Sequence, residues 1–339
     1  MEDFYKNKKV LVTGGAGFVG SHLAEALIKL GAKVTIFDNL ARKEESLRNL
    51  EALWNANLNF TFVKGDILDI SAITDTVQSA DLVFHLAALP SHRLALIEPR
   101  NYANVDIIGT VNVLEATRLA KNPPRIIFAS SNKVYGKQKP PFKESAKLVP
   151  EGPYGQAKAD AEGWCYQYVK YYNIPCYIVR YHHIVGPRSQ PDLALSIFVE
   201  RVLRSENPIV HGEFNGKEFS SCAAAFTNIY DAVEGTLLVM PKVNSFDILN
   251  IGASQETTVL RLAEIIREQL NSKIKIIKKQ MYPHESLHHA ADPSKAKSLL
   301  GWEAKTPIET SVKQYIEWRL NTGERKAAEY KEGLLNQSV

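Results

Sequence analysis

The chain has 339 residues, 45% of them hydrophobic and 23% charged, with a formal net charge of +4. Those proportions suit a globular protein with a large core and exclude fibrous and disordered classes. The positive charge is scattered except for KIKIIKK at 273–279, which alternates like an exposed strand face, so no nucleic-acid partner is expected.

The N-terminus, MEDFYKNKKVLVTGG, lacks the apolar core of a secretory signal, and no run approaches the length of a membrane span. No membrane partner is expected. Cys165, Cys176 and Cys222 lack CxxC spacing and read as free thiols of a reducing compartment. A cytoplasmic location follows as the expectation.

KKVLVTGG reads as a buried strand ending in glycines, SHLAEALIKLG as an amphipathic helix closed by Gly31, and KVTIFDN as a second strand. The pattern then repeats. It runs through strand FTFVKGD, a helix from about Ser71, strand DLVFHLAA, helix NVDIIGTVNVLEATRLA, strand RIIFASS, helix YGQAKADAEGWCYQYVKYY and strand PCYIVRYH. Strands alternating with helices predict an α/β fold, a Rossmann-type doubly wound parallel sheet. After Tyr181 the rhythm breaks at Pro187, Pro191 and Pro208 and at the glycines from Gly212 to Gly216. This predicts a sheet domain over 1–181 with a return segment at about 226–252. A smaller, mixed α/β substrate-binding lobe is expected from 182–225 and 253–339. SKAKSLLGW and SVKQYIEWRL should be terminal helices, with a fraying tail beyond Thr322.

Chemistry enters with TGGAGFVGSHLAEAL, which sets Gly14, Gly17 and Gly20 between a strand and a helix. Small residues let a pyrophosphate approach the backbone, and the helix N-terminus offers free N–H groups and a positive dipole end. Asp38 ends the second strand, placed to accept from an adenosine 2′-hydroxyl and repel a 2′-phosphate, which favours NAD. Arg42 and Lys43 just beyond keep NADP tolerance open, and a plain turn aspartate is the alternative. Asp66 and Ile67 follow the third strand and could hold an adenine amino group. Ala87 and Ala88 follow the fourth and leave room for a cofactor.

Tyr154 and Lys158 are four residues apart at the start of a helical stretch and therefore share a face. An ammonium beside a phenol favours phenolate and draws a poor base toward working pH. His182–His183 and His288–His289 raise the question of a metal. Neighbours on a strand point to opposite faces, so neither pair is a natural chelate and no metal is expected.

In this order, the motifs TGGAGFVG, Asp38, GDI, HLAA, NVDIIGTVNVLEA, ASSNKVYG, YGQAK, RYHHIVGP, FTNIYDAV, NIG and ADPSKAKSLLGW resemble the extended short-chain dehydrogenase/reductases. Within that family they are most similar to the nucleotide-sugar epimerases and dehydratases, over nearly the whole chain. The resemblance implies NAD as cofactor, a nucleotide-diphosphate sugar as substrate, and Ser131, Tyr154 and Lys158 as catalytic residues. It implies that Phe18, Val19, Asn39, Leu86, Asn104 and Tyr181 join Gly14, Gly17, Asp38, Asp66, Ile67, Ala87, Ala88 and Lys158 around the cofactor. It also implies a homodimer through helices near 104–120 and 155–172, with Trp164, Tyr168 and Tyr172 as compatible aromatics.

Sugar dehydratases of the family carry an Asp-Glu pair after the catalytic Ser or Thr, and the decarboxylating members keep the Glu. Here those positions are Asn132 and Lys133, a pair that resembles the tyvelose epimerase branch. The expectation is an epimerase that oxidises a sugar carbinol, at C4 in most relatives, and reduces it again on the other face. A 4-dehydrogenase that releases the keto sugar is the alternative, and a non-catalytic NAD sensor a further one.

The resemblance places Asn in relatives where this chain has His183. The two arginines that commonly anchor a diphosphate are replaced at Ala224 and Tyr282, with Lys217 and His284 as the nearest candidates. Arg93, Arg188 and Arg201 are other possible anchors, and Asn132 and Lys133 are expected to face the substrate.

Overall fold

The computed structural model describes residues 1–281 and 288–323, so Tyr282 and His284 lie outside the described residues. Six strands appear where apolar runs predict them: β1 (Lys9–Thr13), β2 (Lys33–Asp38), β3 (Phe60–Lys64), β4 (Leu82–His85), β5 (Arg125–Ser131) and β6 (Cys176–Tyr181). Together with Ile248–Ile251 they form one seven-stranded sheet of order β3-β2-β1-β4-β5-β6 followed by Ile248–Ile251. Every pairing in it is parallel.

Both faces of the sheet are covered, which is why its central strands read as continuous apolar runs. Val10, Val12, Ile36 and Val179 pack on one side with Leu23 and Leu27 of the helix Phe18–Lys29. Leu11, Val83, Ile126 and Ile178 pack on the other with Val113 and Leu114 of Gly109–Leu119 and with Ala161 and Cys165 of Gly152–Tyr172. Leu237 and Met240, from the helix Ile229–Lys242, join the first side, so this late segment covers the early sheet.

The helix Lys43–Asn55 is among those the sequence reading does not anticipate. In Lys43–Asn55 the only buried apolar residues are Leu50 and Leu53, beside buried Ser46 and Asn49, while Leu47 and Trp54 are exposed, too thin an apolar stripe to stand out in a charged segment.

A third apolar cluster, with Phe198, Val199, Leu262, Ile266, Val312 and Tyr315, joins the helices Ala194–Leu203, Val259–Gln269 and Ile308–Thr322. Beside it, Ile209–Asn215 pairs in parallel with Ile277–Gln280 and antiparallel with Glu218–Ser221. All four residues of Ile277–Gln280 are exposed, and just upstream Lys273 and Lys275 are exposed while Ile274 and Ile276 are half-buried, which matches the alternation there. Ser294–Leu300 and Ile308–Thr322 are the expected late helices.

Candidate functional site

A cleft of about 1220 Å³ follows the carboxyl ends of the strands, where the strand order reverses between β1 and β4. That reversal is where open α/β sheets take their ligands. Every expected cofactor-side residue except Asn104 lines it, as do Ser131, Asn132, Lys133, Arg93 and His183.

On the cofactor side, a Cβ on Gly14, whose φ is +67°, would lie 2.6 Å from the Ala87 backbone nitrogen. The absent side chain is therefore what opens the loop toward the end of β4. Asp38 makes the turn bonds that the sequence offers as one alternative and also faces the cleft. Its carboxylate accepts from the backbone N–H of Ala16 at 3.1 Å and of Leu40 at 2.8 Å while it lines the cleft. Burial raises its pKa, and both N–H bonds oppose the rise. Asn39 donates to Asp66 at 2.9 Å and couples the ends of β2 and β3.

A buried chain of side chains fixes the floor. His85 Nδ1 meets the Thr13 hydroxyl at 2.7 Å, His85 Nε2 meets the Thr110 hydroxyl at 3.1 Å, and Thr110 donates to the Asp106 carbonyl at 2.7 Å. Because the Thr110 proton is spent on that carbonyl, its oxygen accepts, and His85 carries its proton on Nε2. Burial, then the Lys158 charge, hold His85 down to about 3, so it is a neutral strut.

Asn104 is not part of this floor. It is exposed on the wide turn Ala103–Ile108, and Asp106, two residues on and nearly opposite around that turn, is fully buried instead. Its Oδ1 accepts from Leu89 N–H at 2.8 Å, and its Oδ2 has no partner among the described residues. No sequence signal separated the two positions, since only the helix face decides.

Ser131 ends β5 in extended conformation, and its hydroxyl accepts from Lys133 N–H at 3.3 Å, capping the short turn Asn132–Val134. The helix Gly152–Tyr172 brings the Tyr154 hydroxyl beside Ser131. Gly155 makes that approach possible, because a Cβ there would stand 2.7 Å from the Lys133 carbonyl. The Tyr154 ring packs edge-on against Tyr102. Lys158 is buried, donates to the Ala129 carbonyl at 3.1 Å and lies 5.0 Å above the Phe128 ring.

The electrostatics correct one expectation. The Tyr154 phenol is held well above its ordinary value, first by burial and then by the Asp106 charge, while the Ser131 hydrogen bond opposes both. Burial lowers Lys158, and Asp106 resists that. Proximity to Lys158 does not by itself produce phenolate here.

Beneath the site, Arg180 binds Glu162 through two nitrogens at 2.9 and 2.6 Å and donates to the Tyr135 hydroxyl at 2.9 Å. Ser130 donates to the same carboxylate at 2.5 Å, and Tyr135 donates to Asn250 at 2.7 Å. Within SNKVYG, Val134 and Tyr135 are thus scaffold.

Two proposed substrate anchors lie outside the cleft. Arg188 is bonded to Glu25 at 2.8 Å and to Ser21 at 3.4 Å on the glycine-loop helix. Lys217 is exposed in the turn between Ile209–Asn215 and Glu218–Ser221 and does not line the cleft. Arg201, already a candidate anchor, does line the cleft, and so do Arg204, Lys279 and His211, the last two register partners on neighbouring strands. Arg42 and Asp192 meet across the cleft through two contacts of 3.4 Å. Among the described residues no group of three or more His, Cys, Asp or Glu could hold a metal ion. Among them, too, no helix is long and apolar enough to cross a membrane.

A doubly wound sheet with a glycine loop, an acidic second strand and a Ser/Tyr/Lys cluster at one edge defines the extended short-chain dehydrogenase/reductase class. The family model for GDP-mannose 4,6 dehydratase matches residues 11–315, and the chain belongs to that family. It is 32% identical over 326 residues to UDP-N-acetyl-alpha-D-glucosaminuronate decarboxylase of Bacillus cytotoxicus, covering 92% of this chain and 97% of that protein. Among solved structures it resembles UDP-glucuronic acid 4-epimerase from Bacillus cereus in complex with UDP-glucuronic acid and NAD. The TM-score is 0.84 at 28% identity, over 91% of this chain and 98% of that one. UDP-glucose 4-epimerase from Thermotoga maritima with UDP-glucose gives a TM-score of 0.82 at 30% identity, over 93% and 99%.

Proposed function

We propose that this protein is an NAD-dependent nucleotide-sugar epimerase. The observation that carries the reading is one cleft that joins the Gly14 loop and Asp38 to Ser131, Tyr154 and Lys158. The solved relatives that hold NAD and UDP-sugars support both ligands.

When bound, the nicotinamide of NAD supplies the hydride acceptor, and its cationic ring favours a nearby phenolate. Gly14, Gly17 and the start of the helix Phe18–Lys29 suit the pyrophosphate, and Asp38 suits the adenosine ribose. Ser131 holds the sugar oxygen and Tyr154 removes its proton, so the carbinol carbon can release hydride and become a ketone. Tyr154 returns the same proton when hydride comes back on the other face, and nothing is consumed. Asn132 and Lys133 supply no carboxylic acid for elimination, which disfavours dehydration, and Lys133 stands where the decarboxylating relatives keep a Glu, which disfavours that reaction too.

Residues 1–181 and about 226–252 are assigned to the cofactor domain, and 182–225 with 253–339 to the substrate lobe. Exposed Ile108, Leu119, Trp164 and Tyr172 suit a homodimer, whereas Tyr168 is buried. Free thiols suit a cytoplasmic protein.

The test is incubation with UDP-glucose, UDP-galactose, UDP-glucuronate and UDP-N-acetylglucosamine without added coenzyme, with product stereochemistry read by NMR. Interconversion of epimers without free keto sugar is expected. Stoichiometric NADH and a released keto sugar, seen once coenzyme is added, would instead establish a dehydrogenase.

Asp106 gives this reading a pH signature. Its charge disfavours the Tyr154 phenolate and favours the Lys158 ammonium, so removing it lowers both pKa values. Asp106→Asn is expected to move both limbs of the kcat against pH profile toward lower pH. Unmoved limbs would remove Asp106 from the electrostatics of the site.

A further inference from the structure

Residues 186–193 run from the short strand Ile184–Val185 to the helix Ala194–Leu203, and this loop is tied down at two points. Near its start, Arg188 is held by Glu25 at 2.8 Å and by Ser21 at 3.4 Å, both on the helix that follows the glycine loop. Near its end, the Asp192 carboxylate accepts from both terminal nitrogens of Arg42, each at 3.4 Å. The two ties differ in place. Arg188 and Glu25 stand behind the cleft, whereas Arg42 and Asp192 both line it, with Gln190 and Leu193 beside them.

Local turns present each partner. The Asp38 and Asn39 side chains accept from Leu40 N–H at 2.8 Å and Ala41 N–H at 2.9 Å, which winds the chain directly after β2 and delivers Arg42 to the start of Lys43–Asn55. Opposite, the Ser189 hydroxyl accepts from Gly186 N–H at 3.1 Å, and Leu193 N–H donates to the Gln190 carbonyl at 3.2 Å with Asp192 inside that turn. Leu40 and Leu193 pack against the same apolar cluster, so both sides of the ion pair rest on one core. Leu40 and Arg188 hold φ of +59° and +62°, left-handed values that residues other than glycine keep only where the surroundings enforce them.

The ion pair bridges the middle of the cleft. Arg42 follows Asp38 by four residues, on the side suited to the adenosine ribose. Burial and then Asp106 raise the Tyr102 phenol, and the Arg42 and Asp192 charges both reach it with opposite sign, while the Tyr102 ring packs edge-on against Tyr154. A dinucleotide that extends from Asp38 to Tyr154 therefore passes this pair. The Asp192 side chain is 9% exposed and that of Arg42 32%, so the attraction is only partly screened by solvent. Its contacts are longer than the Arg188–Glu25 bond, which makes it the weaker of the two ties and the one that faces the cleft.

Resting on the NAD cleft of the reading above, we propose that Arg42 and Asp192 form a clasp over the bound dinucleotide, with Arg188 and Glu25 as its fixed end. The clasp holds the reduced cofactor between the two hydride transfers. An epimerase needs that retention, because reduced cofactor that leaves before the return step strands the ketone. Breaking one ion pair lifts the loop and lets the cofactor exchange.

The test is release of NADH from the loaded full-length protein into excess NAD, read in a stopped-flow instrument by the change in NADH fluorescence. The parent is compared with Asp192→Asn, which keeps the side-chain shape and removes its charge, with Arg42→Met, and with the double variant. Each single variant is expected to release NADH about three- to tenfold faster than the parent, and the double variant no faster than the faster single, because one pair accounts for both effects. Added salt is expected to speed release from the parent more than from the double variant. The two substitutions sit in different segments, so a variant that fails to fold leaves the other to decide. Release unmoved by Asp192→Asn overturns the clasp, and if Arg42→Met alone is faster, Arg42 serves the cofactor phosphates directly. NADH that binds and leaves at one rate from all four proteins overturns the clasp and leaves the cofactor cleft standing. A parent that binds no NADH overturns both.

Discussion

Tyr154→Phe is expected to lower kcat by about 10²–10⁴, the range for loss of a positioned general acid–base, which is roughly 3–5 kcal/mol of transition-state stabilisation. The substitution keeps the ring, which is buried and packed edge-on against Tyr102, and removes only the hydroxyl that meets Ser131. Folding stability should fall by about 1 kcal/mol, the net worth of one hydrogen bond. NAD and UDP-sugar affinities, measured by calorimetry, should change little. Loss of turnover with binding retained places the phenol in the chemical step. Retained turnover would assign the acid–base role elsewhere, and a pure NAD sensor would show no turnover before or after the change.

The second large effect concerns stability. Arg180 and Glu162 are 2% and 4% exposed and bonded through two nitrogens, with Ser130 and Tyr135 attached to the same pair. Arg180→Met leaves the Glu162 carboxylate buried without its cation, so unfolding free energy measured in urea should fall by about 3–5 kcal/mol. Arg180→Met/Glu162→Met should recover part of that loss, because a buried pair replaced by apolar side chains no longer strands a charge. A single variant within about 0.5 kcal/mol of the parent would show that water reaches the pair and that the network is not a foundation of the site. Activity should fall as well, since Ser130 precedes Ser131 and Tyr135 closes the turn that carries Asn132 and Lys133.

Much of this was legible in the sequence where the controlling physics is local. Strand runs, helix periodicity, the glycine loop with Asp38, and the four-residue spacing of Tyr154 and Lys158 each depend on neighbours along the chain. Helix Lys43–Asn55 escaped because its buried apolar stripe is only Leu50 and Leu53.

What failed depended on direction and distance in space. Asn104 and Asp106 differ by two residues, yet the turn exposes one and buries the other beside Lys158 and Tyr154. Lys217 has a plausible charge and a plausible alignment, but its hairpin carries it away from the cleft. Tyr154 has its ammonium neighbour, yet burial and Asp106 set its proton affinity.

The sequence by itself determined the doubly wound sheet, the cofactor loop and the Tyr154–Lys158 spacing, because period, spacing and residue chemistry are written along one dimension, and its family resemblance singled out Ser131 beside them. Only the tertiary structure decided which cations share the cleft, that Asp106 rather than Asn104 enters the floor, and that His183 meets His289. Those groupings join segments more than a hundred residues apart. Their energies depend on burial and distance, which no local pattern encodes.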